Sequence, residues 1–251
     1  LEEESAMAER IVRLGLIYPT GGGEFEYYQL AEKTDYRIRP IVVAARLYGD
    51  DFDHDPPALS RTGQPESLCL TARSFLPLSP DSVMWACTSG SFIDGRAHAE
   101  RQAEALTETV GVPASSTSLA FAHAIQALGL TKVSLLGSYI EPTVQAFVGF
   151  LGEFGLDLEG VVALGAPGGR DAFQFNREKM LEAARAVDKP DSQAILIPDT
   201  AMACLHLVEP LEAELGKPVL TANQVTIWEG LRLAKALEPL EGYGRLFAET
   251  A

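Results

Sequence analysis

The sequence predicts an α/β protein of two pseudo-symmetric lobes, each a parallel sheet flanked by helices, and three observations carry that prediction. Short β-branched runs alternate with amphipathic helical stretches from Val12 to Ala236, the pattern of parallel sheets covered on both faces. The main runs end in clusters of Gly, Pro, Ser or Thr, as strands do when they feed tight turns into helices. The two halves also echo each other. Gly111-Val112-Pro113 before a hydroxyl-capped helix recurs as Gly216-Lys217-Pro218 before Leu220 to Asn223 and a helix. Leu14 to Tyr18 with Pro19-Thr20-Gly21 parallels Ser134 to Leu136 with Gly137-Ser138-Tyr139, and Trp85-Ala86-Cys87-Thr88 parallels Ile197-Pro198-Asp199-Thr200. The expected lobes are residues 12–115 with 221–236, and 116–220, with 1–11 and 237–251 as terminal extensions.

In chain order, Ile11 to Tyr18 reads as a buried strand feeding the glycine turn Pro19-Thr20-Gly21-Gly22-Gly23, and Glu24 to Lys33 as the following helix. The glycines lack the G-x-G-x-x-G spacing of a dinucleotide loop. They read either as backbone approaching a substrate carboxylate (Thr20, Gly21, Gly22) or as a plain tight turn. Arg37 to Leu47 is a second expected strand, running into Tyr48 to Pro57, an acidic, proline-ended surface loop. Its aspartates and His54 lack the glycine and terminal glutamate of a calcium loop. Ala58 to Phe75 has helical periodicity interrupted near Gly63 and Pro65, with Cys69 on the core face. Val83 to Ala86 is a buried strand and Arg96 to Val110 a helix; Ser116 or Thr117 caps the next helix, which ends at Leu128-Gly129-Leu130. Strands are expected at Thr131 to Leu136, Leu158 to Leu164, Ala194 to Ile197 and Pro218 to Leu220. The helices between and after them are Glu141 to Phe154, Phe173 to Val187, Cys204 to Leu215 and Gln224 to Ala236, with the remainder a tail.

The chain has 251 residues, 47% hydrophobic and 22% charged, enough to bury a large core. A net charge of −15 excludes a nucleic-acid backbone as partner, because phosphate neutralisation needs clustered Lys and Arg. Anionic small molecules stay admissible: a local nest of N–H groups binds a carboxylate even where the global field slows its arrival. Cys69, Cys87 and Cys204 are widely spaced with no C-x-x-C pair, which suits a reducing cytoplasm. No apolar run approaches the roughly 20 residues of a membrane span, and Leu1 to Arg10 is too polar for a signal peptide. A soluble, cytoplasmic protein with no membrane partner is expected, and homo-oligomerisation is left open. His98, His123 and His206 have no metal-ligand spacing and read as surface or core residues.

The candidate chemistry centres on Cys87, where a buried run breaks into Thr88, Ser89, Gly90 and Ser91. Backbone N–H groups and hydroxyls there hold an anion. A thiol beside such donors is expected to have its thiolate favoured, as a base or nucleophile requires; the alternative is an inert buried cysteine. Parallel sheets bind ligands beyond the carboxyl ends of their strands. Thr20 to Gly23, Cys87 to Ser91, Ser138 with Tyr139, and Asp199 with Thr200 all sit at such ends. If the halves face each other across a pseudo-two-fold axis, Cys87 and Asp199 project into one cleft, and two proton-active groups about a small substrate are what carbon-acid chemistry needs. Asp199 also reads as an N-cap of the following helix.

Together these residues resemble the aspartate/glutamate racemase superfamily, and within it most closely the maleate cis-trans isomerase and arylmalonate decarboxylase branch. The resemblance runs from about Val12 to Leu233. It is carried by Gly15-Leu16-Ile17-Tyr18-Pro19, by Cys87 to Phe92, by Gly137-Ser138-Tyr139-Ile140, and by Glu209 through Leu215 to Val219 with Asn223 and Trp228. It implies two α/β lobes with the active site between them, neither cofactor nor metal, and a cysteine at the end of each central strand flanking a carboxylate substrate. By this resemblance Cys87 falls on the first cysteine, Thr88 and Ser89 on carboxylate-binding hydroxyls, and Tyr139 on the pocket tyrosine. Counted back from Gly216, the second cysteine position is Asp199, and Cys204 lies further on. The asparagine in the first loop of maleate isomerases is replaced by the glycines after Thr20. The decarboxylase branch keeps the second cysteine and loses the first, the reverse of this chain. A cysteine and an aspartate make an asymmetric pair, less suited to symmetric racemisation, and burial raises a carboxyl toward a competent acid. The expected function is a cofactor-independent, maleate isomerase-like isomerase or lyase of a small carboxylate, with Cys87 as base or nucleophile and Asp199 as proton donor or acceptor. Thr20, Gly21, Gly22, Thr88, Ser89, Tyr139 and Thr200 are expected to line the substrate. The alternatives are arylmalonate-type decarboxylation, amino-acid racemisation and non-catalytic binding of a small acid.

Overall fold

The four-residue runs Ser82–Trp85 and Ala194–Ile197, apolar but for Ser82, are buried on both faces, as central strands of parallel sheets are. The computed structural model describes residues 10–19, 22–46 and 54–251. Its elements follow one another as β1 (Val12–Tyr18), α1 (Phe25–Lys33), β2 (Ile38–Ala44), α2 (Pro56–Thr62), α3 (Pro65–Ala72), β3 (Ser82–Trp85), α4 (Ser89–Phe92), α5 (Arg96–Val110), β4 (Ala114–Ser116), α6 (Thr117–Ala127) and β5 (Lys132–Tyr139). The chain continues through α7 (Glu141–Gly152), β6 (Asp157–Ala166), α8 (Gly169–Phe173), α9 (Arg177–Val187), β7 (Ala194–Ile197), α10 (Val208–Leu215), β8 (Val219–Thr221), α11 (Ala222–Leu233) and α12 (Gly244–Thr250).

Among the described residues these strands form two four-stranded sheets, ordered β2-β1-β3-β4 and β6-β5-β7-β8, with every pairing parallel. The two orders are the same permutation, so β3 and β7 hold equivalent central places. The repeat behind this is visible in the caps. Helix α5 ends on Gly111 and α10 on Gly216, both left-handed at φ 72° and 69°, the conformation that glycine adopts at a helix end without a Cβ penalty. Ser116 caps α6 by accepting the Leu119 N–H, and Thr221 forms a capping box with Gln224 at the start of α11. Helix α11 then packs on β3, β4 and α6, returning the end of the chain to the first sheet.

Several stretches differ from the sequence expectation. The stretch read as a tail contains α12, with Tyr243, Leu246 and Phe247 fully buried and Thr250 Oγ1 accepting from Trp228 Nε1 at 2.8 Å. Its few apolar residues show little periodicity, yet each seals the floor beside α10 and β8. The single helix expected from Phe173 is broken, because Asn176 caps α9 by accepting the Lys179 N–H at 2.9 Å. Cys204 precedes α10 instead of opening it, lying between 3-10 turns at Thr200–Met202 and Leu205–Leu207. Cys69 is half-buried beside α5, not sealed in the core.

Candidate active site

Strand β3 delivers Cys87 two residues past Trp85, and the short helix α4 begins at once at Ser89. The thiol therefore meets the first turn of that helix: the Gly90 N–H donates to Cys87 Sγ at 3.3 Å, and Ser89 Oγ lies at 3.9 Å. A side chain there would be crowded, since a Cβ on Gly90 would stand 3.0 Å from Trp85 Cζ2 and 3.2 Å from the sulfur. Gln102 Nε2 anchors the turn through Gly90 O at 2.9 Å. Ser91 is a brace: its hydroxyl is shared between the carbonyls of Cys87 and Thr88 and accepts the Ser118 N–H. The expectation of a favoured thiolate is corrected. Burial pushes the Cys87 thiol up to about 12, the Gly90 and Ser89 contacts offset this only in part, and the Asp199 charge pushes the same way.

Strand β7 delivers Asp199 from the equivalent place, two residues past Ile197. Its backbone is held at φ 99°, a left-handed position that costs a non-glycine residue about 1–3 kcal/mol. Three bonds over-determine it. The Asp199 N–H donates to Thr88 Oγ1 at 3.3 Å, Ser138 Oγ donates to Oδ2 at 2.6 Å, and the Ala201 N–H donates to Oδ1 at 2.9 Å. The last bond is the predicted capping role, made to a 3-10 turn instead of a long helix, and it leaves Oδ2 on the Ser138 side. Because Thr88 accepts from Asp199, its own hydroxyl hydrogen remains a donor for a ligand.

Tyr139 closes the space between these strand ends. Its phenol is buried and makes no hydrogen bond of good geometry among the described residues, with the Thr88 and Ser89 hydroxyls as its polar neighbours, so a ligand oxygen placed among the three would be the better partner. Burial, followed by the Asp199 and Cys87 charges, holds the phenol well above its ordinary range, so it stays a donor. Of the other residues expected around a substrate, Thr200 is fixed through its carbonyl, which accepts from Tyr18 Oη at 3.0 Å and Asn223 Nδ2 at 3.1 Å. The Gly22 N–H is taken up by Glu24 Oε2 at 2.9 Å, against its expected role as a carboxylate donor. Thr20 and Gly21 lie outside the described residues, as do Asp50, Asp51 and Asp53 of the acidic loop.

Two residues of the site escaped sequence reasoning. His54, read as part of a surface loop, is buried; it lies edge-on to Tyr139, with ring centroids 4.6 Å apart, and its Nε2 is 3.6 Å from Asp199 Oδ2. An acidic, proline-ended segment carries no signal for a single inward residue. Glu26 on α1 is also buried: it accepts the Leu205 N–H and Asn223 Nδ2, each at 2.7 Å, and so ties the segment after Asp199 to α1 and α11. Its only trace in the sequence is a carboxylate among the apolar residues Phe25, Tyr27 and Leu30. Among the described residues no group of His, Cys, Asp and Glu could hold a metal ion.

The family model for arylmalonate decarboxylase matches residues 68–247, a span that takes in the ends of β3, β5 and β7. The chain belongs to the arylmalonate decarboxylase family. An arylmalonate decarboxylase from Bordetella bronchiseptica is 31% identical over 166 residues, 65% of this chain and 69% of that protein. A maleate isomerase from Nocardia farcinica is 26% identical over 177 residues, 68% of this chain and 70% of that protein. A solved mutant of a maleate cis-trans isomerase from Nocardia farcinica, carrying a covalently bound succinylcysteine intermediate, superposes with a TM-score of 0.84 at 22% identity and covers 96% of this chain and 99% of that one. Membership of the arylmalonate decarboxylase family makes this chain an enzyme, as its resemblance to the racemase superfamily implied. No helix among the described residues is long and apolar enough to cross a membrane.

Proposed function

We propose that the chain is a cofactor-independent, maleate isomerase-like isomerase or lyase of a small carboxylate, with Cys87 as nucleophile or base and Asp199 as the opposing proton donor or acceptor. The observation that carries this reading is the Asp199 N–H on the Thr88 hydroxyl at 3.3 Å. Through it the loop bearing the thiol and the loop bearing the carboxyl, one from each sheet, meet about a common space. The maleate isomerase relative and the succinylcysteine intermediate of the solved isomerase support a cysteine that adds to a four-carbon acid. Cys87 supplies that group here, with Thr88, Ser89 and Tyr139 as hydroxyl donors to the substrate carboxylates.

For an isomerase the steps balance as follows. The Cys87 thiol loses its proton to solvent, the thiolate adds to one alkene carbon, and the π pair moves to the neighbouring carbon, which takes a proton from the Asp199 carboxyl. The bond between the two carbons is now single and rotates. Return of that proton to Asp199 and departure of the thiolate restore the alkene in the other geometry. With the thiol at about 12, forming the thiolate at pH 7 costs about 7 kcal/mol, so hydrogen bonds completed by bound substrate have to support it. A thiol opposite a carboxyl disfavours symmetric racemisation, because the two bases differ in strength. Free Cys69, Cys87 and Cys204 suit a reducing, cytoplasmic setting. The same reading takes residues 12–115 with 221–236 as one lobe and 116–220 as the other.

Turnover of a panel of small mono- and dicarboxylates, followed by proton NMR so that an isomer of unchanged mass is seen as readily as a cleaved product, with wild type and Cys87→Ala side by side, tests the proposal. One acid is expected to be converted by wild type, with the rate at least about 100-fold lower in Cys87→Ala. Acids that bind wild type without any conversion would instead make the chain a binding protein.

A further inference from the structure

His54 stands on the connection that follows β2, yet it is fastened to the second sheet. Its N–H donates to Pro167 O at 2.8 Å, and its carbonyl accepts from Thr143 Oγ1 at 2.5 Å. The ring is fixed as firmly. Nδ1 lies 3.1 Å from the Ala166 carbonyl, which only an Nδ1–H can satisfy, and Tyr139 packs edge-on against the ring. With Nδ1 so occupied, Nε2 is aimed at Asp199 Oδ2, 3.6 Å away, and both side chains are 6% exposed. Two lone pairs facing each other at that distance in a buried site repel. One proton on the pair, as imidazolium with carboxylate or imidazole with carboxylic acid, turns the contact into an attraction at ion-pair distance, longer than a hydrogen bond.

We propose that His54 and Asp199 share one proton, so that a neutral pair, and not a bare aspartate, is the group opposite Cys87. This rests on the reading that Cys87 reacts and Asp199 carries the second proton. Within it His54 is a positioning residue that acts only through Asp199. When Asp199 passes its proton to a substrate carbon, His54 is left as neutral imidazole with Nδ1–H still on Ala166, and the reverse step restores the pair. The titratable side chains it touches are Asp199 and Tyr139; Tyr139 stays protonated, so the proton is shared with Asp199. The consequence for Cys87 is electrostatic. A carboxylate raises the thiol, whereas a carboxylate balanced by His54 does not, so the pair lowers the barrier to thiolate formation and to the approach of an anionic substrate.

The test is the rate at which iodoacetamide alkylates Cys87 at pH 7.5, mapped to that residue by peptide mass spectrometry. In that reaction an S–C bond forms, iodide leaves and the thiol proton goes to solvent, so no knowledge of the natural substrate is required. Wild type, His54→Asn, Asp199→Asn and the double variant are compared, with melting temperatures. Asparagine at 54 keeps an amide N–H for the Ala166 carbonyl and removes the ionisable ring; His54→Gln serves as a second variant should the first fail to fold. His54→Asn is expected to slow labelling of Cys87 about tenfold while Cys69 labels unchanged, and to have no more than about a twofold effect where Asp199 is already asparagine. Equal slowing in both backgrounds, or none in either, overturns the pair. Absence of turnover on any carboxylate would sink the proposed function alone, since the labelling cycle reads the coupling directly.

Discussion

The role proposed for Cys87 sets two demands against each other: a nucleophile must ionise, and a residue at the end of a central strand is taken out of water. The Gly90 N–H, which donates to the sulfur at 3.3 Å, offsets the cost of burial in part, and a side chain at residue 90 would crowd both the sulfur and Trp85. Gly90→Ala is therefore expected to displace that donor, lowering turnover about tenfold or more and destabilising the fold by about 1–3 kcal/mol through overpacking against Trp85. Steady-state rates with a denaturation curve check this; unchanged turnover would show that the donor is dispensable. The places of Cys87, Asp199 and Tyr139 were legible in the sequence because each stands at or just past the end of a readable strand. His54 was not, since its inward turn depends on Thr143, Ala166 and Pro167, residues far along the chain. Cys87 also shows where spacing misleads: the N–H donors are present, yet desolvation outweighs them.

The elements around the site are held by a buried polar clasp. Glu26 of α1 receives the Leu205 N–H and Asn223 Nδ2, Asn223 also donates to Thr200 O, and Tyr27 Oη donates to Asn223 Oδ1 at 2.7 Å. One helix thereby fixes both the loop that follows Asp199 and the start of α11. Burial raises the Glu26 carboxyl from 4.5 to about 7, although the Asn223 and Leu205 bonds pull the other way. Its folded value lies above its unfolded one, so the native state binds the extra proton between those limits. The contribution to stability is complete below about pH 4.5 and is lost as pH rises to about 7 and beyond, an effect of about 3 kcal/mol. Glu26→Gln should begin less stable, by about 1–3 kcal/mol, because it turns an amide N–H toward Asn223 Nδ2. It should also lack that slope. Denaturant midpoints of the two proteins between pH 5 and 8 are the check, and parallel curves would contradict the assignment. At this scale most of the strand and helix alternation was legible. The three-residue β4 and the break before α9 were not, because a run of three carries no period and a side-chain cap leaves the flanking apolar pattern intact.

Across the whole molecule, the same strand order occurs twice, and the second and third strands of each order, β1 with β3 and β5 with β7, carry the groups of the site on their ends. The duplicated Gly-x-Pro turns announced this arrangement in the sequence. What they could not announce is that the end of the chain returns as α11 and α12 to seal the floor, since that depends on surfaces made by distant segments. The duplication is broken chemically where it matters most, with a thiol on one side and a carboxyl on the other. The most direct test of that account is the turnover of purified Asp199→Asn on the acid that wild type converts, with the melting temperature measured alongside. Asparagine keeps the oxygen that accepts the Ala201 N–H, and Ser138 can turn its hydroxyl to accept from the new amide, so the fold should melt within a few degrees of wild type. The account predicts a rate about 100-fold to 10,000-fold lower; a rate within a few-fold of wild type would contradict it and leave Asp199 a capping residue only.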